Sequence, residues 1–260
     1  MLTILYLDDD LAAIDKPAGL LVHPTGLDAH ETRNAMALLR DQLGGRVWPL
    51  HRLDKGTSGV LLFARNEAAA SRWRAPFEAG TVYKQYLALV RGWPPEAGEI
   101  DYPLARDPEL PSAGQPRLAA VTRWRRLATF EWDFSVDGRH PTSRYALVAV
   151  EPVTGRRHQI RRHLKHVSHP ILGDATHGKG PLNRWWAQRL GLQRLWLHAQ
   201  EITLPHPATG TPLRLHSGLQ WAPGTGLVAA QDTPGAVADW LGAWHTLTRG
   251  ATPVLSSRAC

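Results

Sequence analysis

The chain has 260 residues, enough to bury a substantial core as one large domain or as two closely joined halves. Its formal net charge is +7, and arginine supplies 25 of its 30 cationic side chains. Such a composition suits a polyanionic partner such as RNA, although a genomic bias toward Arg codons would produce the same excess. The one cysteine, Cys260, excludes an intramolecular disulfide and a cysteine-based zinc site.

The N-terminal residues carry no targeting pattern. The apolar residues 2–6 run directly into Asp8-Asp9-Asp10, which interrupts any signal-peptide pattern. No apolar run in the sequence approaches the length of a membrane span. We therefore expect a cytoplasmic protein that has no membrane partner.

Along the first third of the chain, the apolar pattern alternates between strands and helices. Residues 2–6 and 11–14 are predicted to be short strands around the acidic turn, and residues 31–43 a surface helix. Residues 60–64 are apolar throughout, which is typical of a central strand. Asn66 is predicted to cap a helix that ends at Gly80.

A polar stretch lies immediately before the predicted central strand. It reads His51-Arg52-Leu53-Asp54-Lys55-Gly56-Thr57-Ser58-Gly59. A carboxylate at the head of a buried strand is costly to desolvate unless it is paired. Asp54 therefore either caps a turn, with Thr57 and Ser58 bonding the backbone, or is an acid held rigidly for chemistry.

The middle of the chain is predicted to be mostly strand. Residues 81–92 carry bulky side chains on both strand faces, so this strand is expected to be buried, and its Tyr86 would ordinarily be a hydrogen-bonded core residue. Residues 94–115 are rich in Pro, Gly and charge and are predicted to be a connector with one short strand. Residues 119–127 and 142–150 are two further predicted strands.

The most basic segment follows a turn at Thr154-Gly155. Helical spacing places Arg157, Arg161 and Lys165 on one line, at i, i+4 and i+8. On this pattern alone, the line is a basic face exposed to solvent.

Four histidines, at positions 158, 163, 166 and 169, lie close together in this segment. A zinc site would need further ligands in register, and Asp174 is the candidate that the nearby sequence offers. We therefore interpret these imidazoles as surface groups that contact RNA, and we expect no bound metal.

The C-terminal part is predicted to be an extension, residues 221–260, added to a main domain of residues 1–220. Val237, Trp240, Leu241, Trp244 and Leu247 share one helical face, so a helix is expected to pack on the body. Residues 251–260 are expected to form a loose tail.

Several segments together resemble the motifs of the RluA-type pseudouridine synthases, in the order in which that family has them. They are Lys16-Pro17-x-Gly19, the stretch from His51 to Gly59, Lys84-x-Tyr86-x-Ala88-x-Val90-x-Gly92, and Thr154-Gly155-Arg156-x-His158-Gln159-Ile160-Arg161. The resemblance covers about residues 2–215. It includes a later Gly173-Asp174 segment, where His177 replaces the family's usual tyrosine.

This resemblance implies the α+β pseudouridine synthase fold, a large bent and mostly antiparallel mixed sheet flanked by helices and loops. Residues 1–220 would be the catalytic domain of an RNA-modifying isomerase that needs no cofactor. No phosphate-cradle or dinucleotide loop is present in the sequence, so no dinucleotide partner is expected.

The resemblance also assigns residues to roles. Asp54 corresponds to the catalytic nucleophile, Tyr86 to the tyrosine that lies against the target base, and Arg161 to the arginine that pairs with the carboxylate. Attack on the base and attack on the ribose are both open to Asp54. The predicted RNA contacts are His51, Arg52, Lys84, Arg157 and Arg162.

Within the family, the chain most resembles the tRNA pseudouridine synthase C type, which modifies uridine 65. The pointers include Thr142-Ser143-Arg144-Tyr145 and Asn183-Arg184. Members that act on large ribosomal RNA usually carry an S4 domain before the catalytic domain, and no S4 domain is expected here. We expect a monomer that acts on tRNA. The same chemistry on other tRNA or 23S ribosomal RNA uridines, and an inactive RNA-binding module with this fold, are the alternatives.

Overall fold

The computed structural model describes residues 1–24, 33–191, 193–223, 225–229, 236–248 and 252–254. The first part of the chain forms β1 (Thr3–Leu7), β2 (Leu11–Lys16), α1 (Ala35–Leu43), β3 (Trp48–Pro49), β4 (Ser58–Ala64), α2 (Glu67–Glu78), β5 (Tyr83–Arg91), β6 (Ala97–Asp101), β7 (Leu104–Ala105) and β8 (Arg117–Leu118). The second part forms β9 (Val121–Trp132), β10 (Ser143–Pro152), α3 (Gln159–His166), α4 (Gly180–Leu190), β11 (Leu197–Pro205), β12 (Pro212–His216), β13 (Leu219–Ala222), β14 (Gly226–Ala229), α5 (Ala236–Thr248) and β15 (Thr252–Val254).

The chain divides into two compact units. Unit 1 comprises Met1–Lys84 and His198–Leu241, and unit 2 comprises Gln85–Leu197 and Gly242–Cys260. Strands predominate in both units, and the pairing includes antiparallel neighbours and the parallel pair of β4 and β11, so the predicted α+β class with a mixed sheet is confirmed.

Unit 1 is built on strands in the order β1-β2-β4-β11-β12, and β3 pairs with one end of β4. Neighbours are antiparallel except β4 and β11, which run parallel. Every residue of β4 is buried, which confirms its predicted central place. Trp73 of α2 packs into the core that this sheet forms with Leu62 and Ile202.

The helices of unit 1 begin at asparagine caps. The Asn34 side chain accepts the Ala37 N–H at 3.0 Å, and the Asn66 side chain accepts the Ala69 N–H at 2.8 Å, as predicted for Asn66. These bonds satisfy backbone donors that have no partner within the helix. The helix expected over residues 31–43 begins at Ala35, and residues 31 and 32 lie outside the described part of the chain.

Unit 2 is built on the antiparallel order β5-β10-β9, with β6 and β15 also paired to β9. Three aromatic rings meet edge to face on this sheet, those of Trp132, Tyr145 and Trp186. The Trp186 indole N–H donates to the Tyr145 hydroxyl. Burial raises the pKa of Tyr145 to about 12, so this hydroxyl stays protonated and the cluster is a neutral core.

One prediction in the middle of the chain was wrong, and one helix was not predicted. The segment expected to be a connector with one short strand contains both β6 and β7, and β7 pairs with β8 immediately beyond it. The helix α4 was not predicted at all, although it has Pro181 in its first turn and ends at Gly191 in the left-handed conformation.

The C-terminal segment contains α5 and β15. Val237, Trp240 and Leu247 of α5 are buried. The Val237 N–H donates to the Asp15 carboxylate at 3.1 Å. Within the predicted tail, Thr252–Val254 pairs with β9, whereas residues 251 and 255–260 lie outside the described residues. None of the helices in the described residues is both long and apolar enough to span a membrane.

The parallel pairing of β4 with β11 depends on Gly59. This residue has φ +109° and lies opposite Ala199 of β11. A Cβ added at Gly59 would lie 2.1 Å from the Ala199 carbonyl oxygen. Glycine is therefore required by both the backbone conformation and the close approach of β11.

We predict that Gly59→Ala destabilises the fold by about 3 kcal/mol or more, because strained φ and steric overlap both add to the cost. Gly45→Ala is the matched control, since a Cβ there meets nothing within 4 Å. The midpoint of urea unfolding measures both variants. Equal midpoints for the two variants would show that the close β4–β11 approach is not required.

Candidate active site

Asp54 lies in a turn that leads directly into β4. The Thr57 N–H donates to the Asp54 carbonyl at 3.0 Å and closes the turn. Thr57 and Ser58 are buried, whereas Asp54 is partly exposed. Asp54 is therefore carried on a backbone that a buried strand fixes, and the residue stays partly exposed.

The buried Lys16 side chain binds the backbone of Lys55, the residue after Asp54. The Lys16 side chain is 0% exposed, and its Nζ donates to carbonyls that include Leu20 at 2.8 Å and Lys55 at 3.2 Å. The Gly19 N–H donates to the same Lys55 carbonyl at 2.8 Å. Because a buried ammonium is costly unless its donors are bonded, this geometry ties the Lys16–Gly19 motif to the Asp54 turn.

A buried serine–histidine–serine chain supports the start of β4. The Ser58 hydroxyl lies 3.0 Å from His198 Nδ1, and His198 Nε2 lies 2.9 Å from the Ser217 hydroxyl. All three side chains are 0% exposed. Since no substrate reaches a fully buried hydroxyl, the chain ties β4 to β11 and is not a nucleophile–base pair. The sequence Leu197-His198-Ala199 gives no signal that His198 would link Ser58 to Ser217.

The ring of His51 is engaged inside unit 1. Its Nε2 accepts the Leu62 N–H at 3.2 Å, and the ring stacks on Phe77 with 5.1 Å between centroids. Burial, together with the positive charge of Lys84, lowers the pKa of His51 to about 3. The imidazole is therefore neutral at pH 7 and acts as a hydrogen-bond acceptor.

The other two predicted RNA contacts of unit 1 differ in exposure. Arg52 is exposed, and Lys84 is partly buried at the start of β5. Burial lowers the pKa of Lys84. The roles of Arg52, His51 and Lys84 in RNA binding stay predictions.

Tyr86 is held within the sheet of unit 2. It lies in β5 opposite Val150 of β10 and is 9% exposed. The neighbouring residues Leu87 to Val90 are fully buried, so the strand fixes the backbone at Tyr86. Its role against a base stays a prediction.

Arg161 forms a buried ion pair in unit 2. Its Nε and Nη2 each donate to the Asp174 carboxylate at 2.8 Å, so the contact is bidentate. Arg161 is 8% exposed and Asp174 is 1% exposed. The same carboxylate accepts the N–H groups of Thr176 at 3.0 Å and His177 at 2.8 Å. Such a pair orients the guanidinium rigidly. That Arg161 also pairs with Asp54 stays a prediction.

The Asp174 carboxylate is kept charged by its partner. Burial alone would raise its pKa, but the hydrogen bonds and charge of Arg161 outweigh burial, and the pKa of Asp174 is lowered. A lowered folded-state pKa contributes stability above the unfolded value of about 4, and this contribution is lost as pH falls through the folded value. The ion pair therefore persists throughout the neutral range.

The predicted line of Arg157, Arg161 and Lys165 on one helix face was wrong. The helix α3 begins at Gln159, and His158 before it has φ +54°, a left-handed conformation that stops helical spacing from extending to Arg157. Arg157 instead forms ion pairs with Asp107, at 3.3 Å, and with Glu109.

The histidines of this segment are not all surface groups, and the interpretation was wrong for His163. His163 is 0% exposed, with its ring nitrogens 2.9 Å from the Thr122 hydroxyl and 2.9 Å from the Tyr102 carbonyl. Arg162 donates to the Ala105 carbonyl at 2.9 Å. Among the described residues, no group of three or more His, Cys, Asp or Glu side chains is arranged to hold a metal ion.

The position of Asp174 follows from the glycine before it. Gly173 has φ +76°, and a Cβ there would lie 1.8 Å from the Arg194 carbonyl oxygen. The Asn183 side chain accepts the Gly173 N–H at 3.0 Å and donates to the Asp174 carbonyl at 2.7 Å. The Gly-Asp dipeptide was the available sequence signal for this contact. From the sequence, Asp174 was interpreted as a candidate metal ligand and as part of a family-like segment, and no contact with Arg161 was predicted.

We predict that Asp174→Asn destabilises the protein by about 3–5 kcal/mol, because it leaves the buried Arg161 charge without its carboxylate partner. Thermal and urea unfolding measure the loss. Glu99→Gln is the matched control, since Glu99 pairs with Arg123 at 2.7 Å with both side chains about half exposed, and it should cost less than about 1 kcal/mol. A similar small cost for both variants would refute the structural importance of the buried pair.

The chain is similar in sequence and in fold to known proteins. A family model described as RNA pseudouridylate synthase matches residues 10–166. The tRNA pseudouridine synthase C of Vibrio cholerae is 46% identical over 224 residues, which cover 84% of this chain and 91% of that protein. The tRNA pseudouridine synthase C of Haemophilus ducreyi is 50% identical over 212 residues, which cover 80% and 87%.

Among solved structures, Human RNA Pseudouridylate Synthase Domain Containing 1 matches with a TM-score of 0.68 and 24% identity, over 89% of this chain and 92% of that chain. This likeness shows the fold. Since the family model spans more than half of the chain and both bacterial relatives are matched over most of their length, the chain belongs to the RluA-type RNA pseudouridylate synthase family.

Proposed function

We propose that this protein isomerises a uridine of tRNA to pseudouridine, that uridine 65 is the target, and that Asp54 is the nucleophile. The observation that carries the proposal is the similarity, at 46% and 50% identity, to proteins named tRNA pseudouridine synthase C. The motif residues Asp54, Tyr86 and Arg161 are all present in this chain. We further propose that the protein acts as a monomer in the cytoplasm.

The reaction is redox-neutral. It breaks the bond between ribose C1′ and base N1 and forms a bond between C1′ and C5 of the same base. The hydrogen on C5 leaves as a proton and N1 gains a proton, so no electron acceptor or donor takes part. A carboxylate can serve as the nucleophile for such a step.

The proposed roles follow the family's motifs. Asp54 attacks the nucleotide, and Arg161 pairs with the Asp54 carboxylate. The target uridine has to leave its stack before it can react, and Tyr86 receives the flipped base. Arg52, which is exposed, enters the vacated space. In this scheme Asp174 is a positioning residue, because its contact is with the Arg161 guanidinium.

The remaining proposed RNA contacts are constrained by their protein partners. Arg157 would have to exchange Asp107 and Glu109 for phosphate oxygens. Arg162 already donates to the Ala105 carbonyl, and His51 accepts a backbone N–H. We propose that Arg157 and Arg162 bind RNA through electrostatic contacts that weaken as salt rises, and that His51 contacts RNA as an uncharged ring.

We predict that Asp54→Asn abolishes isomerisation while folding and tRNA binding survive, because the amide is a poor nucleophile of nearly the same shape. The measurement is the release of tritium from tRNA labelled at uridine C5. Asp133→Asn, at an exposed position outside the motifs, is the matched control and should release tritium at the wild-type rate. Tritium release by Asp54→Asn above a residual level would remove Asp54 from the nucleophile role.

We predict that Tyr86→Phe slows isomerisation at least about tenfold and costs only about 1 kcal/mol of stability, the usual scale for one hydrogen bond. Tyr6→Phe is the control, since its hydroxyl donates to Asp8 at 2.6 Å outside the motifs of the site. Tritium release and urea unfolding are compared for both variants. A stability loss as large as the activity loss would return Tyr86 to a purely structural role.

A further inference from the structure

A cavity of about 640 Å³ lies in unit 2. Its walls come from the end of β5, the loop before β10, the segment that follows α3, and the residues before α4. A volume of this size lies in the range of roughly 300–1,000 Å³ that is typical of ligand sites. None of the three residues assigned to catalysis lines it.

The charged groups on its walls are mostly cations. Asp137 is the carboxylate among the described lining residues, and its charge is already used by the protein, since it pairs with Arg91 and accepts the N–H groups of Arg139 and His140. Arg144, a further lining cation, pairs with a glutamate at 2.9 Å. These groups largely neutralise one another.

Two lining lysines have no such partner. Lys165, in the last turn of α3, and Lys179, immediately before α4, are both exposed. Neither side chain makes an ion pair or hydrogen bond with any described residue. The cavity therefore offers two ammonium groups whose charge is not compensated within the described structure.

One wall of the cavity adjoins the buried ion pair of the site. His177 lines the cavity, its N–H donates to the Asp174 carboxylate, and its ring lies 3.0 Å from His158 Nδ1. Burial lowers the pKa of His177 to about 4, so the ring is neutral at pH 7 and adds no charge. A ligand that contacts His177 in the cavity would thus touch a residue that is hydrogen-bonded to Asp174, the partner of Arg161.

We propose that this cavity binds phosphodiester groups of the substrate RNA, with Lys165 and Lys179 as the phosphate contacts. The inference rests on the proposed function, because it takes the ligand to be the RNA that the site modifies. Compact ammonium charges bind phosphate oxygens, and contacts to the backbone fix the register of a nucleic acid without reading its sequence. Contacts here would place the RNA strand relative to Arg161.

The test is the affinity of the full chain for unmodified tRNA, measured over a range of salt concentrations. In Lys165→Gln/Lys179→Gln, we expect the Kd at about 0.15 M salt to rise about tenfold and the slope of log K against log salt to become shallower by about 1 to 2. Lys165→Arg/Lys179→Arg keeps both charges and should bind like the wild type.

Arg46→Gln/Arg74→Gln is the matched control. It also removes two exposed cations, and neither residue lines the cavity. It should raise the Kd less than about threefold, which is the loss of affinity expected from removing two positive charges anywhere on the surface. If it weakens binding as much as the lysine pair does, or if the lysine variant binds tRNA like the wild type, the inference fails.

A second experiment distinguishes RNA from a small phosphate compound as the ligand of the cavity. Titration of the wild type with inorganic phosphate should show no saturable binding below about 1 mM, since the contacts serve a polymer that carries many charges. Saturable binding that the lysine variant loses, with unchanged tRNA affinity, would reassign the cavity and overturn the inference. Tritium release by the wild type reports separately on the proposed function, so an inactive wild type would refute isomerisation while tRNA affinity still decides the role of the cavity.

Discussion

The ion pair between Arg161 and Asp174 is the constraint around which unit 2 is arranged. Two charges removed from water destabilise a fold unless their geometry is nearly ideal and the remaining oxygen lone pairs are bonded. Both conditions are met, by the bidentate contact and by two backbone N–H groups on the same carboxylate. The local conformation follows from this demand: Gly173 admits the close approach of Arg194, and Asn183 bonds on both sides of the turn. The helices α3 and α4 are thereby joined through the Gly173-Asp174 turn, because Arg161 of α3 bonds the Asp174 carboxylate and Asn183 of α4 bonds the backbone of the turn.

In unit 1, neutral and cationic side chains hold the turn that carries a carboxylate. The partly exposed Asp54 is on a turn whose backbone is bonded by the buried Lys16 and whose following strand is held by Ser58 and His198. The side chains that bond this turn and strand are thus shielded from water, while Asp54 itself is partly exposed. The proposed role of Asp54 needs such a rigid support to hold its carboxylate in a productive geometry.

Local patterns predicted the elements whose cause is local. The asparagine cap at Asn66 and the fully apolar β4 were recognised because capping and burial leave a signature within a few residues. Residues 94–115 were predicted to contain one short strand and contain two, β6 and β7, because short segments rich in Pro and Gly become strands only through pairing with distant partners. The helix α3 was predicted to include Arg157, because the residue type of His158 does not by itself predict a left-handed backbone. The Asp174 partner of Arg161 was missed since a contact across 13 residues depends on the tertiary path of the chain. Motif resemblance assigned roles to Asp54, Tyr86 and Arg161, and these assignments stay predictions. The residue pattern by itself left Asp54 and Tyr86 with structural alternatives.

The proposed reaction of this protein is the conversion of one uridine of tRNA to pseudouridine. It is tested by mapping pseudouridine at single-nucleotide resolution across total RNA from cells of the source organism with and without the gene for this protein. We expect cells lacking the protein to lose the modification at uridine 65 of tRNA and to regain it when the wild-type gene is restored. Loss of a site in large ribosomal RNA with every tRNA site intact would contradict the substrate assignment, and an unchanged map would contradict the proposed reaction itself.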